Sequence, residues 1–165
     1  MAGFEITRTV NAPIDRVFDV FTDLDHMWPR IEDIVKIERD TSGPVGVGTV
    51  YQETRAGFGR ESTSSLEFTE FDPPNRWAIT AASVGIRMTT SFDLQPEEDG
   101  TRLIVNTKIR PLNPVSWFMG LFLSPLLMGT VKRAVNRDLD TLCQLADGTW
   151  VEKPAEPEET GNPDE

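Results

Sequence analysis

Polar and apolar residues alternate along seven segments of the chain, which is the pattern of β-strands that bury one face. The clearest case lies within residues 59–71, where Leu66 and Phe68 share a face with Arg60 while glutamates and threonines fill the other. Short loops separate successive segments of the long central region, so we predict an antiparallel meander. The predicted strands cover residues 4–10, 34–39, 49–55, 59–71, 76–82, 86–94 and 101–109.

Apolar residues recur at helical spacing in the remaining segments. Ile14, Val17 and Phe21 lie on one face of a first helix, which directly follows the first strand. A second short helix is predicted over residues 24–31, with Trp28 turned inward. The order of elements is therefore one strand, two short helices, six strands and a helical C-terminal region.

Two capping residues followed by proline divide that C-terminal region, at Asn113-Pro114 and at Ser124-Pro125. Proline suits the first turn of a helix because the N–H that it lacks would have no partner there. The two pairs therefore predict a short helix over residues 114–123 and a separate long helix over residues 125–146.

These elements predict an α+β fold in which one curved antiparallel sheet is covered by the long C-terminal helix. The inner face of the sheet needs a cover, and this helix is the only element large enough to provide it. A gap remains between the two unless large side chains fill it. We assign residues 1–147 to this domain and residues 148–165 to an acidic, Pro- and Glu-rich tail that we expect to be disordered.

Several short motifs recur in a characteristic order and spacing along the chain. They are Ala12-Pro13, Asp25 with Trp28, Gly46 and Gly48, Pro73-Pro74, and Gly100-Thr101-Arg102. Over about residues 3–146 this order and spacing resemble the polyketide cyclase/dehydratase and lipid-transport (SRPBCC) superfamily, the START-like, helix-grip group that includes the birch-pollen allergen fold. The resemblance implies a hydrophobic tunnel between the sheet and the C-terminal helix, but no universal catalytic residue.

The charge balance narrows the classes of partner. The chain has 27 acidic and 16 basic residues and a formal net charge of −11, which argues against nucleic acid as a partner because that needs clustered Lys and Arg. The N-terminus lacks a basic start followed by an apolar run, so we expect no signal peptide and a cytoplasmic protein.

Few residues offer catalytic or metal-binding chemistry. His26 is the only histidine and Cys143 the only cysteine, which argues against an ordinary zinc site. We expect no cofactor. His26 is predicted to be exposed at a helix entry, and Cys143 to fill the core. Arg60 either meets the polar end of a ligand or reaches solvent at its strand end, and Glu53 shares the face of Tyr51 only if the strand keeps its parity.

The inward-facing residues have two interpretations, because in this fold a pocket is simply core that is left unfilled. We predict that they line the pocket together with Arg60 and part of the C-terminal region. The candidate ligand-binding residues are Tyr51, Arg60, Leu66, Phe68, Trp77, Met88, Phe92, Val105, Trp117, Leu121 and Met128.

The segment from Pro111 to Val131 carries no charged residue. It has the length of a membrane span, but its prolines and polar residues, and the amphipathic helix that follows, argue against one. Large apolar residues point in several directions around it. We expect a lid over the tunnel whose outer surface, Trp117 to Leu127, contacts a membrane surface or a second copy of the chain.

Two functions of different kinds fit this sequence. The first is binding or transport of a hydrophobic small molecule, either a lipid or a polyketide-like compound. The alternative is a cyclase/dehydratase-like enzyme acting on an aromatic or polyketide substrate in the same cavity, with catalytic residues unknown. The absence of an obvious acid/base pair on the predicted inner faces favours binding.

Overall fold

The computed structural model describes residues 2–57, 59–83 and 85–152, and for residues 2, 83 and 115–127 it describes only the backbone element. The helices are α1 (Ile14–Thr22), a 3-10 helix (Trp28–Arg30) and α2 (Pro114–Asp147). The strands are β1 (Ala2–Val10), β2 (Ile34–Arg39), β3 (Val50–Gly57), β4 (Arg60–Asp72), β5 (Arg76–Ser83), β6 (Ile86–Glu97) and β7 (Gly100–Pro111).

The seven strands form one antiparallel sheet in the order β1-β7-β6-β5-β4-β3-β2. Strands β2 to β7 follow each other as hairpins, and β1 closes the far edge by pairing with β7. The sheet curves around α2, which packs against β1, β7 and α1. The predicted α+β helix-grip fold and its meander are therefore confirmed.

The predicted break at Ser124-Pro125 is wrong, because α2 runs as one helix of 34 residues from Pro114 to Asp147. A proline inside a helix removes one backbone hydrogen bond and favours a kink, but it does not oblige the helix to end. The second helix is shorter than predicted and of 3-10 type, although Trp28 is buried as expected.

Two of the recognised motifs meet where β1 leads into α1. Gly100 has a φ of +151°, and a Cβ at this position would lie 2.2 Å from the Val10 carbonyl oxygen, so the close approach requires glycine. The buried hydroxyl of Thr101 donates to the Ala12 carbonyl at 2.8 Å. The start of β7 thus fixes the turn that begins α1.

The C-terminal end of α2 is held by α1. The Arg16 guanidinium donates through Nε to the Ala146 carbonyl at 2.5 Å, which satisfies a carbonyl that has no partner inside the helix. A cation at this position also interacts favourably with the helix dipole. Gly148 follows with a φ of +80°, the left-handed conformation that commonly ends a helix.

Aromatic side chains fill the part of the core between α1 and the sheet. Trp77 stacks on Phe92 with ring centroids 4.7 Å apart, and Phe18 meets the edge of Trp77 at 5.4 Å. Phe21 packs against both rings. These rings fill the space between α1 and the sheet, and Phe92 also borders the space that remains under α2.

Candidate ligand-binding site

A cavity of about 260 Å³ lies between the inner face of the sheet and the C-terminal half of α2. Most of its wall is apolar, contributed by β4 to β6 on one side and by α2 on the other. The apolar wall residues are Trp28, Leu66, Ile79, Ala81, Met88, Phe92, Val131, Ala134, Val135, Leu139 and Leu142. The same wall also contains Thr90 and a group of three charged residues.

These three residues, the charged cluster, are Glu53 and Arg55 on β3 and Asp138 on α2. The Arg55 guanidinium donates through Nε to Glu53 Oε1 at 2.5 Å. Its terminal nitrogens face Asp138, with Nη2 2.9 Å from Oδ2 and Nη1 3.2 Å from Oδ1. One guanidinium therefore holds two carboxylates at the cavity wall and links the sheet to α2.

The backbone periods explain why each of these side chains faces the cavity. Side chains two residues apart on a strand point to the same side, so Glu53 and Arg55 follow the fully buried Tyr51 onto the inner face of β3. Asp138 lies three residues after Val135 and four before Leu142 on α2, both of which line the cavity. This spacing puts its carboxylate in the apolar stripe of the helix.

Burial and charge oppose each other in the cluster. Burial by itself lowers the pKa of Arg55, but attraction to Asp138 and the hydrogen bond to Glu53 outweigh it and raise the pKa above its ordinary value. Burial raises the pKa of Asp138, and its attraction to Arg55 offsets only part of this effect. Asp138 therefore holds its proton more tightly than a solvated aspartate does.

Two polar atoms beside the cluster are buried and have no hydrogen-bond partner among the described residues: Glu53 Oε2 and the Tyr51 hydroxyl. Glu53 as a whole is only 6% exposed. Burial, and then repulsion from Glu53, raise the pKa of Tyr51 well above its ordinary value, so the phenol stays protonated. Tyr51 is not among the cavity residues, whereas Glu53 is.

The predicted ligand-binding residues fall into several groups. Leu66, Met88 and Phe92 lie on the cavity wall. Arg60, also predicted to bind the ligand, is exposed at the start of β4 and is not on the cavity wall, which matches the alternative that its side chain reaches solvent. Four others are buried in the core but do not line the cavity: Tyr51, Phe68, Trp77 and Val105. Met128 is partly buried and also lies outside the wall. The side chains of Trp117 and Leu121 lie outside the described residues.

Sequence reasoning missed Arg55 and Asp138, and it found no acid/base pair on the inner faces. The structure places two carboxylates there, those of Glu53 and Asp138. Each of the two missed residues had a signal in the sequence. Arg55, like Glu53, continues the alternation from Tyr51, and Asp138 interrupts an apolar helical stripe. A charge at a position whose neighbours are buried indicates either a partner or a ligand.

The remaining reactive side chains lie apart from this wall. His26 is exposed, as predicted, with Nδ1 2.9 Å from the Asp23 carboxylate. Burial raises the pKa of the Cys143 thiol to about 12, so it remains protonated at neutral pH. In the described part of the chain, no group of three or more His, Cys, Asp or Glu residues is arranged to hold a metal ion.

Within those same described residues, no helix is both long enough and apolar enough to cross a membrane. The apolar segment that begins at Pro111 comprises the end of β7 and the first part of α2.

The family model described as polyketide cyclase / dehydrase and lipid transport matches residues 1–146, which is most of the chain. The chain belongs to this family. The match includes the strands, both short helices and nearly all of α2, so the charged cluster lies inside the family domain. None of the curated proteins matches the chain in sequence.

Solved structures share the fold at low sequence identity. Ara h 8.0201 aligns with a TM-score of 0.74 at 18% identity, covering 88% of this chain and 97% of its own. The protein TTHA0849 from Thermus thermophilus aligns with a TM-score of 0.72 at 20% identity, covering 91% and 100%. The Zhui aromatase/cyclase from Streptomyces sp. R1128 aligns with a TM-score of 0.70 at 19% identity, covering 88% and 93%.

Proposed function

We propose that the protein binds a hydrophobic small molecule, a lipid or a polyketide-like compound, in the cavity between the sheet and α2. The observation that carries this proposal is an apolar internal space with one charged cluster in its wall. Ligand pockets are commonly of this kind, since apolar walls supply affinity and a few polar groups fix orientation. The family, which includes lipid-transport proteins by its description, supports the same function.

The cavity volume limits the size of the enclosed part of the ligand. An apolar cavity of about 150 Å³ is large enough to hold benzene. The 260 Å³ found here therefore suits a one- or two-ring aromatic group or a short alkyl chain. We propose that the protein acts in the cytoplasm as a carrier or sensor for such a molecule.

The binding function is tested with a neutral fluorescent probe, N-phenyl-1-naphthylamine, together with native mass spectrometry of protein purified from its own host. We expect saturable binding at one site, and a copurified small molecule that displaces the probe. Ala81 lines the cavity and the adjacent Ala82 does not, so Ala81→Phe should weaken probe binding at least tenfold and Ala82→Phe less than twofold. Equal effects of the two variants, or no probe binding at all, would refute the proposal.

A second candidate function is catalysis on a ligand held in the same cavity. The observation that favours it is the pair of carboxylates, since an aspartate with a raised pKa and a buried glutamate can donate and accept protons. A solved relative of the same fold is described as an aromatase/cyclase. The reaction would be dehydration of a polyketide-like compound, alone or after cyclisation, and native mass spectra would then show a product lighter than the bound ligand by one water; cyclisation alone would leave the mass unchanged.

We further propose that the outer surface of α2 from Trp117 to Leu127 contacts a membrane surface or a second copy of the chain. Support comes from the sequence, which is rich in large apolar residues between these positions, and from the continuous helix on which they lie. One narrow buried face cannot hold side chains that point in several directions around a helix. This surface would let the protein exchange a hydrophobic ligand with its source.

A further inference from the structure

Most polar groups in the described wall of the cavity have a hydrogen-bond partner, and one acceptor atom has none. The Arg55 guanidinium already faces Glu53 Oε1 and both oxygens of Asp138. The Trp28 indole donates to the Phe21 carbonyl at 2.9 Å, and Thr90 is hydrogen-bonded to Thr107 at 3.1 Å. Each of these wall groups therefore has a partner within the described part of the protein.

Glu53 Oε2 is the exception. It belongs to a side chain that lines the cavity, it is buried, and no described residue donates to it. A carboxylate oxygen accepts hydrogen bonds only, and leaving such an acceptor buried without a donor costs free energy. A ligand that brings a donor to this oxygen would remove that cost.

The charge of the cluster determines which kind of donor fits. One guanidinium and two carboxylates give it a net charge of −1 when all three are ionised, so a ligand carboxylate would be repelled. An ammonium group would be attracted to this charge, but moving it from water into a largely apolar cavity carries a large desolvation cost. A neutral hydroxyl brings a single donor.

We propose that the ligand of this cavity is a neutral, largely apolar molecule with a hydroxyl group, an alcohol or phenol, that donates to Glu53 Oε2. This inference rests on the proposed binding function and specifies the ligand class of that site. It separates hydroxylated aromatic or alkyl compounds from fatty acids and amines of the same size. Arg55 and Asp138 act as positioning residues that hold Glu53 with one oxygen directed to the ligand.

The test compares three two-ring compounds that differ only in their polar group: 2-naphthol, 2-methoxynaphthalene and 2-naphthoate. Binding to the wild-type protein is measured by calorimetry at pH 7. We expect 2-naphthol to bind at least tenfold more tightly than either of the others, because hydrogen bonds to charged groups are among the strong ones.

Glu53→Gln provides the matched variant. The amide oxygen would remain with Arg55, which only donates, and the amide N–H₂ would replace Oε2 at the cavity. The variant should then bind 2-naphthol and 2-methoxynaphthalene with about equal affinity, or bind 2-methoxynaphthalene more tightly. Glu61→Gln, at an exposed carboxylate of β4, should leave the preference unchanged.

The outcomes separate the two proposals. If wild-type protein binds 2-naphthol and 2-methoxynaphthalene equally well, the cavity binds ligands and the assignment of a hydroxyl to Glu53 is wrong. If it prefers 2-naphthoate, the charge argument is wrong. If none of the three binds, the proposed binding function fails and the ligand class fails with it. Comparing the three compounds on the wild-type protein tests the hydroxyl assignment even if Glu53→Gln does not fold.

Discussion

At the scale of single residues, the unusual feature is a charged cluster in an apolar wall. A buried ion pair is weak evidence for stability, because the cost of removing charges from water offsets much of their attraction. Here one guanidinium faces two carboxylates, and the side chains of Glu53, Asp138 and Arg55 are 8%, 16% and 27% exposed, so attraction and repulsion both act in a largely desolvated site. The pKa of Asp138 reflects both effects, because burial raises it and the positive charge of Arg55 lowers it.

The pKa of Asp138 is therefore a direct measure of the cluster. We expect NMR titration of the side-chain carboxyl carbon to give a value above the unperturbed aspartate pKa of about 3.9. Arg55→Met should raise it further, since the variant removes the guanidinium that lowers it. The exposed Arg133, replaced in the same way, should leave the value unchanged. A pKa that falls or stays constant in Arg55→Met would contradict this account of the cluster.

The same shift has a consequence for stability. The folded pKa of Asp138 lies above the unfolded value, so between the two the folded state holds a proton that the unfolded chain has released. The contribution of this group to the free energy of unfolding is then full below the unfolded pKa. It decreases as the pH rises through the raised folded pKa.

At the scale of elements, α2 is the part on which both the core and the cavity depend. Leu139 and Leu142 are each only 2% exposed, and Val131 and Val135 continue the same stripe toward the cavity. The helix is one continuous element, so a change at one point of this stripe affects both its packing on the sheet and the shape of the cavity.

Leu142→Asp tests the packing of α2 on the sheet. The variant places a carboxylate where the native side chain is buried, and we expect the free energy of unfolding to fall by about 3 kcal/mol or more. Gln144→Asp, on the exposed side of α2, should cost less than about 1 kcal/mol because its carboxylate stays solvated. Urea unfolding followed by circular dichroism measures both, and similar values for the two variants would refute the packing described here.

At the scale of the whole molecule, the question is how an acidic protein reaches a hydrophobic ligand. A net charge of −11 disfavours electrostatic attraction to anionic lipid. Contact with a membrane or with another copy would then depend on apolar side chains, and the sequence concentrates these between Trp117 and Leu127. We therefore expect changes on the proposed contact surface to affect association and to leave the fold intact.

Phe118→Ser combined with Phe122→Ser tests that expectation. We expect reduced flotation with phosphatidylcholine vesicles, or reduced self-association in sedimentation, at a stability cost below about 1 kcal/mol. The matched control replaces Val35 and Val47 by serine, two valines that are 53% and 68% exposed elsewhere on the molecule, and should change neither measurement. A parent protein that neither floats nor self-associates would rule out the surface. If the double phenylalanine variant unfolds, Phe118 and Phe122 belong to the core and not to a contact surface.

The sequence by itself determined the fold, because alternation and helical spacing are local patterns that follow from backbone geometry. Seven strands, the short helices and the α2 cover could be read from it, and so could the motifs that the family shares. Only the tertiary structure decided that α2 runs through Ser124-Pro125, since a proline permits a helix end without requiring one. The cavity and its charged cluster were also decided there. Arg55 and Asp138 are 83 residues apart in the chain, and their meeting depends on the curvature of the sheet around α2 rather than on any local pattern.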